Sequence, residues 1–96
     1  MAKLIKLPDV EALSGLRCSK IYGSIRAKTF PPPVKLTARS SAWVEDEILT
    51  LNAARIAGKS DAEIREIVAN LVIARAQILP ACLAARSRAI HEQATV

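Results

Sequence analysis

Apolar residues recur every three to four positions in four stretches of this chain, a spacing that predicts amphipathic helices. The predicted helices cover about residues 7–15, 17–28, 45–57 and 61–79. Pro8 in the first turn and Gly15 beyond the last favour the first helix. Ser60 and Glu63 have the spacing of a capping box at the start of the fourth. The chain therefore reads as mainly helical.

The segment between the second and third helices lacks this spacing. Prolines at 31–33 cannot continue a helix. Residues 34–36 alternate between apolar and polar, residues 37–41 are turn-like, and residues 42–44 are expected to form the returning strand. We expect a rigid connector followed by a small hairpin with Lys35 and Arg39 near its tip. A polyproline ligand for an SH3-like partner is the alternative function of the connector.

Two short helices joined at a glycine, followed by a hairpin and another helix, form the order of a winged helix-turn-helix. The predicted fold is mainly α, with a small β-hairpin wing and a C-terminal helical extension. We divide the chain into a winged helix-turn-helix domain at 1–58 and the extension at 59–96. Pro80 is expected to break or kink the fourth helix, and the Ala-rich tail to about His91 is predicted to be weakly helical.

The apolar stripe of the fourth helix is wider than one contact face requires, because Val72 and Ile73 extend it. Its members are Ile64, Ile67, Val68, Leu71, Ala74 and Ile78. Such a helix completes a core that is marginal at about sixty residues, or packs on a second copy. We predict a homodimer through 61–79, which fits two-fold DNA sites.

Charge is unevenly distributed along the chain. The net charge is +5, and residues 1–44 carry eight basic side chains against two acidic ones. Six cations and no carboxylate lie in one stretch: Arg17, Lys20, Arg26, Lys28, Lys35 and Arg39. Such a block is typical of a surface for a polyanion, with a solvated face as the alternative.

Candidate catalytic or metal chemistry is sparse. Cys18 and Cys82 form no CxxC motif, and His91 has no partner cluster, so we predict no metal, no cofactor, no small-molecule substrate and no enzyme. Cys18 is expected to be a small buried apolar residue. The acidic run at 45–47 is assigned to the dipole of its helix.

Export and membrane signals are also absent from the pattern. No apolar run approaches the roughly 20 residues that span a bilayer, and no apolar segment follows the basic residues of the N-terminus. The expected location is therefore the cytoplasm, at the bacterial nucleoid, without membrane contact.

An ordered set of short motifs runs along the first part of the chain. The set comprises Leu7-Pro8-Asp9-Val10, Leu13-Ser14-Gly15-Leu16, Ser19-Lys20-Ile21-Tyr22, Phe30-Pro31, Pro33-Val34-Lys35-Leu36 and Arg39-Ser40-Ser41-Ala42-Trp43-Val44-Glu45. This set resembles the AlpA family of phage and prophage regulators. The resemblance covers about residues 4–56. It implies a winged helix similar to those of MerR-type regulators and excisionases, and a DNA-binding regulator of prophage genes. Some members promote excision indirectly, by switching on an integrase.

The chain departs from the family pattern at four positions. The family usually has Ser where this chain has Arg17, Arg at the positions of Cys18 and Gly23, and often Gly at the position of Ala38. The resemblance therefore transfers the mode of docking on DNA rather than individual base contacts.

Candidate DNA contacts follow from the long polar side chains and hydroxyls of the second helix and the hairpin. They are Arg17, Ser19, Lys20, Tyr22, Ser24, Lys28, Lys35 and Arg39. Lys20 is the candidate for a base edge, and Arg17 for a phosphate. Ser19 either donates to a phosphate or caps the helix, and the Tyr22 ring either joins the core or places its hydroxyl on the DNA backbone.

The function predicted from these features is sequence-specific binding of double-stranded DNA by a transcriptional regulator of prophage-type genes. One alternative is an excisionase-like architectural protein that bends DNA for an integrase. A second is a protein-interaction adaptor that acts through the C-terminal helix.

Overall fold

A computed structural model of the protein describes residues 3–85. Its elements in chain order are β1 (Leu4–Ile5), α1 (Leu7–Ser14), α2 (Cys18–Arg26), β2 (Val34–Thr37), β3 (Ser40–Val44), α3 (Glu45–Ile56) and α4 (Asp61–Ala74). A 3₁₀ turn, Arg75–Gln77, follows α4. The predicted mainly helical winged helix-turn-helix is confirmed. The tail beyond residue 85, with His91, lies outside the described residues.

The three strands form one antiparallel sheet in the order β1-β3-β2. The predicted hairpin is confirmed, with Val34 opposite Ala42 and an irregularity in β2 between Lys35 and Thr37. Its short turn has no glycine, and the Thr37 hydroxyl accepts a hydrogen bond from the Arg39 N–H instead. Strand β1 was not predicted, because two residues are too few to show alternation.

Local signals end the helices where the sequence predicts. Gly15 and Gly58 take positive φ angles of 74° and 77° after α1 and α3, a conformation that costs glycine little. The capping box before α4 is present, since Ser60 and Glu63 exchange hydrogen bonds. The hydrogen bond from the Ser60 backbone N–H is the main cause that lowers the pKa of the Glu63 carboxyl.

One apolar core joins the helices to the sheet. Its largest fully buried side chains include Trp43, Phe30 and Ile21, as the sequence predicts. Ile64 and Val68 of α4 belong to the same cluster, so the first half of this helix completes the core of the smaller unit. The division of the chain at residues 58 and 59 stays a prediction.

Two predictions of burial are wrong. On α3 the sequence predicts Leu49 or Ile56 beside Ile48 and Leu51, but both are exposed and Ala54 is buried there. Cys18, the first residue of α2, is exposed as well.

Pro80 does not end the fourth helix. A helical run extends over Asp61–Ala85, with the 3₁₀ turn just before Pro80. Proline removes the hydrogen bond to the carbonyl four residues earlier, at Ala76, and that carbonyl lies in the tighter turn. By length and composition this 25-residue helix is long and apolar enough to cross a membrane. The prediction that no segment of the chain is long and apolar enough to span a bilayer is therefore wrong for this helix.

An ion pair ties this helix to the rest of the fold. Glu47 is buried, and the Arg75 guanidinium donates to both of its carboxylate oxygens at 2.5 and 2.8 Å. Arg75 also donates to the carbonyl of Pro32 at 2.7 Å. The assignment of residues 45–47 to the helix dipole is thus incomplete, because Glu47 is an anchor for a residue 28 positions away.

We expect Arg75→Ala to lower the free energy of unfolding by about 3–5 kcal/mol, since it leaves the Glu47 carboxylate buried without its partner. Urea unfolding followed by the fluorescence of Trp43, the single tryptophan, measures this loss. The control is Lys59→Ala, which breaks an exposed pair with Glu63 and should change stability by less than about 1 kcal/mol. Equal effects of the two variants would contradict an anchoring role for Arg75.

Candidate nucleic-acid interface

Helix α2 has one apolar face and one polar face. Ile21 is fully buried and Ile25 packs against the core from the next turn. Ser19, Gly23 and Arg26 follow one another on the opposite side, where Ser19 and Arg26 are exposed. An added Cβ at Gly23 would meet only the Arg26 guanidinium, at 3.9 Å. The outer side of α2 therefore presents a smooth polar ridge to solvent.

One flank of α2 faces the β2–β3 hairpin, which we call the wing. The rings of Tyr22 and Trp43 meet edge to face with their centroids 6.3 Å apart. Tyr22 is nevertheless 43% exposed, so its ring seals the edge of the core while much of the side chain remains in solvent. The ring thus joins the edge of the core as predicted, the placement of its hydroxyl on DNA stays a prediction, and the ring contact joins the wing to α2.

The wing carries its basic side chains outward. Lys35 and Arg39 are exposed, and Arg39 occupies the turn as predicted. Lys6, before α1, donates to the Ser40 hydroxyl at the turn end of β3.

Of the twelve basic side chains in residues 3–85, ten fall into two groups by partner, and the other two, Lys6 and Arg65, donate hydrogen bonds to uncharged oxygens. Lys3, Arg55, Lys59 and Arg75 form ion pairs. Within residues 3–85, the six cations of the segment 17–39 have no carboxylate within ion-pair distance, and all six are exposed. Because their charge is not neutralised locally, this side of the protein keeps a positive potential.

In the described part of the chain, no three His, Cys, Asp or Glu side chains gather closely enough to hold a metal ion. The groups that face solvent on α2 and the wing include cations, hydroxyls, a phenol, the Cys18 thiol and the apolar side chain of Leu36. The cations, the hydroxyls and the phenol donate hydrogen bonds to an anion.

A comparison with protein families gives a match over residues 3–55, more than half of the chain, to the family described as Prophage CP4-57 regulatory protein (AlpA). The chain belongs to the AlpA family. This confirms the resemblance drawn from the motifs, and it places the protein among prophage regulatory proteins.

A viral relative extends this comparison. The chain is 40% identical over 57 residues to the uncharacterized protein ORF88 of Enterobacteria phage P4. The alignment covers 59% of this chain and 65% of the phage protein, so the chain spans less than two thirds of that relative's length. No solved structure matches the chain.

The AlpA match ends close to the end of α3. It includes every candidate contact in the segment 17–39, whereas α4 and the helical residues after it lie outside the match. The role of each candidate contact stays a prediction, since the family description names no residues.

Arg17, where the AlpA family usually has Ser, changes how the start of α2 is capped. Arg17 stands at the cap of α2 and makes no side-chain cap, and Ser19 lies inside the helix, so the capping alternative for Ser19 is wrong. Glu11 of α1 replaces the missing cap, since its carboxylate accepts the Cys18 N–H at 3.1 Å. No local sequence pattern signals this contact, which joins residues seven positions apart across the turn.

Two further residues escaped the sequence prediction. Arg26 is exposed like the other cations and lies over Gly23. Its charge within the basic block was the sequence signal that could have marked it as a candidate DNA contact. Asn52 donates to the Leu13 carbonyl at 2.9 Å and fixes the end of α1 against α3. No sequence signal marks Asn52, because the contact spans 39 positions.

Lys28 holds a strained backbone conformation. Its φ is 66°, in the left-handed region that side chains other than glycine rarely adopt. The N–H groups of Lys28 and Thr29 bond back to the carbonyls of Ile25 and Ser24, which is the Schellman pattern. Gly58 closes α3 with the same pattern, so a lysine occupies a position that favours glycine.

We expect Lys28→Gly to raise the free energy of unfolding by about 0.5–1 kcal/mol, the relief of the left-handed strain less the entropy cost of glycine. The reciprocal control is Gly58→Ala, where no atom lies near the added Cβ and only backbone strain changes. Thermal unfolding should move in opposite directions for the two variants. A loss of stability in Lys28→Gly would show that the lysine side chain itself stabilises the fold.

Proposed function

We propose that this AlpA protein is a sequence-specific transcriptional regulator that binds double-stranded DNA with α2 and the wing. The observation that carries the proposal is the set of six exposed cations, all without ion pairs within residues 3–85. Counterion release by phosphate contacts would supply most of the binding free energy. Duplex DNA is the polyanion that a winged helix-turn-helix is shaped to bind.

Helix α2 enters the major groove in this proposal. Gly23 supports close approach, because it has no side chain and only the flexible end of Arg26 lies near the position of a Cβ. Lys20 reads a base edge from one flank of this ridge, and Ser19 and Ser24 donate hydroxyls to the backbone. On the other flank, the exposed Tyr22 hydroxyl donates to a phosphate while its ring rests on Trp43.

The remaining cations hold the DNA backbone around this helix. Arg17 and Lys28 lie at the two ends of α2, and Lys35 and Arg39 extend the contact along the wing. An arginine at the tip of a wing fits either a phosphate or a minor groove. The strained backbone of Lys28 supports a role for its side chain, because glycine would serve the helix end better.

Occupancy of the operator then changes promoter activity without catalysis. A regulator of this kind acts in the bacterial cytoplasm at the nucleoid. The position of Ile64 and Val68 in the core, with Arg75 held on Glu47, favours a helix docked on the domain over a membrane span. The excisionase-like alternative predicts strong DNA bending, and the adaptor alternative predicts no salt-sensitive DNA binding.

We also propose that two copies associate through the helix that begins at Asp61. Val72, Leu79 and Leu83 are exposed, at spacings of seven and four residues that place them along one side of a helix. Apolar residues in such a row match the same row on a second copy. A dimer would present two α2 helices to a two-fold site on DNA.

Binding should weaken steeply as salt rises. Arg39→Ala should reduce the slope of log affinity against log salt by about 0.9 and weaken specific and random duplexes alike. Lys20→Ala should penalise the specific duplex more, by about 1–3 kcal/mol, if Lys20 reads a base edge. Fluorescence anisotropy with both duplexes measures these effects.

Lys59→Ala is the control for this DNA titration, because Lys59 already pairs with Glu63 away from α2. Its effect should be small. Equal effects of all three substitutions would indicate diffuse attraction of a polyanion and would overturn oriented docking.

Leu79→Asp should lower the mass seen by sedimentation equilibrium from that of a dimer to that of a monomer, because it buries a charge in the apolar row. Asn70→Asp adds the same charge on another side of the helix and should leave the mass unchanged. Both variants should keep the native Trp43 fluorescence spectrum, and Leu79→Asp should unfold at a midpoint that no longer depends on protein concentration. A wild-type chain that is monomeric at high concentration would contradict the dimer.

A further inference from the structure

A groove of about 500 Å³ runs along the flank of α2 that faces away from the wing. Ser19, Lys20 and Ser24 contribute one wall, from the outer and flanking positions of α2. The opposite wall comes from Arg55 at the end of α3 and from Asp61 and Arg65 at the start of α4. The groove therefore joins the candidate DNA surface to a helix that lies outside the matched AlpA segment.

Arg65 is held beside α2 by its own hydrogen bond. Its Nε donates to the carbonyl of Ala27, the cap of α2, at 3.1 Å. The side chain is exposed, and no carboxylate pairs with it within residues 3–85. One edge of the guanidinium is thus fixed in place, and the charge of the group faces the groove without compensation.

Arg55 is the second arginine of this wall, and it is partly neutralised. Its Nη1 lies 3.6 Å from a carboxylate oxygen of Asp61, and both side chains are exposed. Asp61 also sits in the first turn of α4, where the helix dipole favours a negative charge. The carboxylate therefore lowers the positive potential in a groove that is otherwise lined by three cations and three hydroxyls.

We propose that this groove binds the phosphate backbone of the same duplex, with Arg65 as a phosphate contact. The inference rests on the proposed insertion of α2 into a major groove. The major groove of DNA is about 12 Å wide, so a helix within it has a phosphate strand along each flank. The wing meets one strand on the Tyr22 side, and the α3–α4 wall meets the other.

This arrangement assigns a DNA-binding role to α4 in addition to its packing role. Ile64 and Val68 bury one side of α4 in the core, and Arg65, next to Ile64, is carried to the edge of α2 by that packing. The operator contact then extends beyond the segment that the family match covers. Ethylation of the phosphates on this flank should interfere with binding.

The test compares two substitutions in the full chain that change the charge of the groove in opposite directions. Binding of each variant is measured on one specific duplex. Arg65→Gln should reduce the salt slope of log affinity by about 0.9 and remove the interference at the flanking phosphate. Asp61→Asn should tighten binding, because it removes a repelling charge and releases Arg55 from its pair. A fold defect would weaken both variants, so opposite effects exclude it, and the Trp43 unfolding midpoint checks each variant directly.

Lys59→Gln is the matched control. Lys59 lies between Arg55 and Asp61 in the sequence and pairs with Glu63, but it does not line the groove. Unchanged slopes in Arg65→Gln, together with a weakened Arg39→Ala, would overturn this groove as a DNA contact and leave docking by α2 intact. If Arg39→Ala and Lys20→Ala are also without effect, the proposed function fails as well. Weaker binding by Asp61→Asn with a native midpoint would contradict the repelling role of its carboxylate.

Discussion

The ion pair between Glu47 and Arg75 constrains more of this fold than any other polar contact in the described residues. A carboxylate that is 5% exposed needs a partner of opposite charge, and Arg75 supplies a two-point contact. The same guanidinium donates to the Pro32 carbonyl. One side chain therefore sets the position of the long helix, of α3 and of the connector that leads into the wing.

The placement of α4 links stability to the DNA-binding surface. Ile64 and Val68 complete a core that α1–α3 and the sheet leave small, and this packing sets Arg65 against the end of α2. The α2 helix is held from three sides, by Glu11 at its first turn, by Trp43 at Tyr22 and by Arg65 at its cap. Rigid support of this kind keeps a binding helix in one orientation before DNA arrives.

The cations of the structure differ in whether a carboxylate pairs with them. Four cations away from the outer side of α2 are paired with carboxylates, whereas those on α2 and the wing are exposed and unpaired within residues 3–85. Pairing elsewhere lowers the field on the other surfaces, and the uncompensated side becomes the place where a polyanion is attracted. The Asp61 carboxylate is the exception, because it lies in the groove beside α2.

The sequence by itself determined the ends of α1 and α3, the start of α4, the hairpin and the basic block. These features depend on glycine, on capping residues and on periodicity, which act within a turn or two. Only the tertiary structure decided that Glu47 is buried, that Glu11 caps α2, that Cys18 is exposed and that the last helix continues through Pro80. Contacts such as the one between Glu47 and Arg75 join residues 28 positions apart, and no local pattern records which distant side chain will meet them.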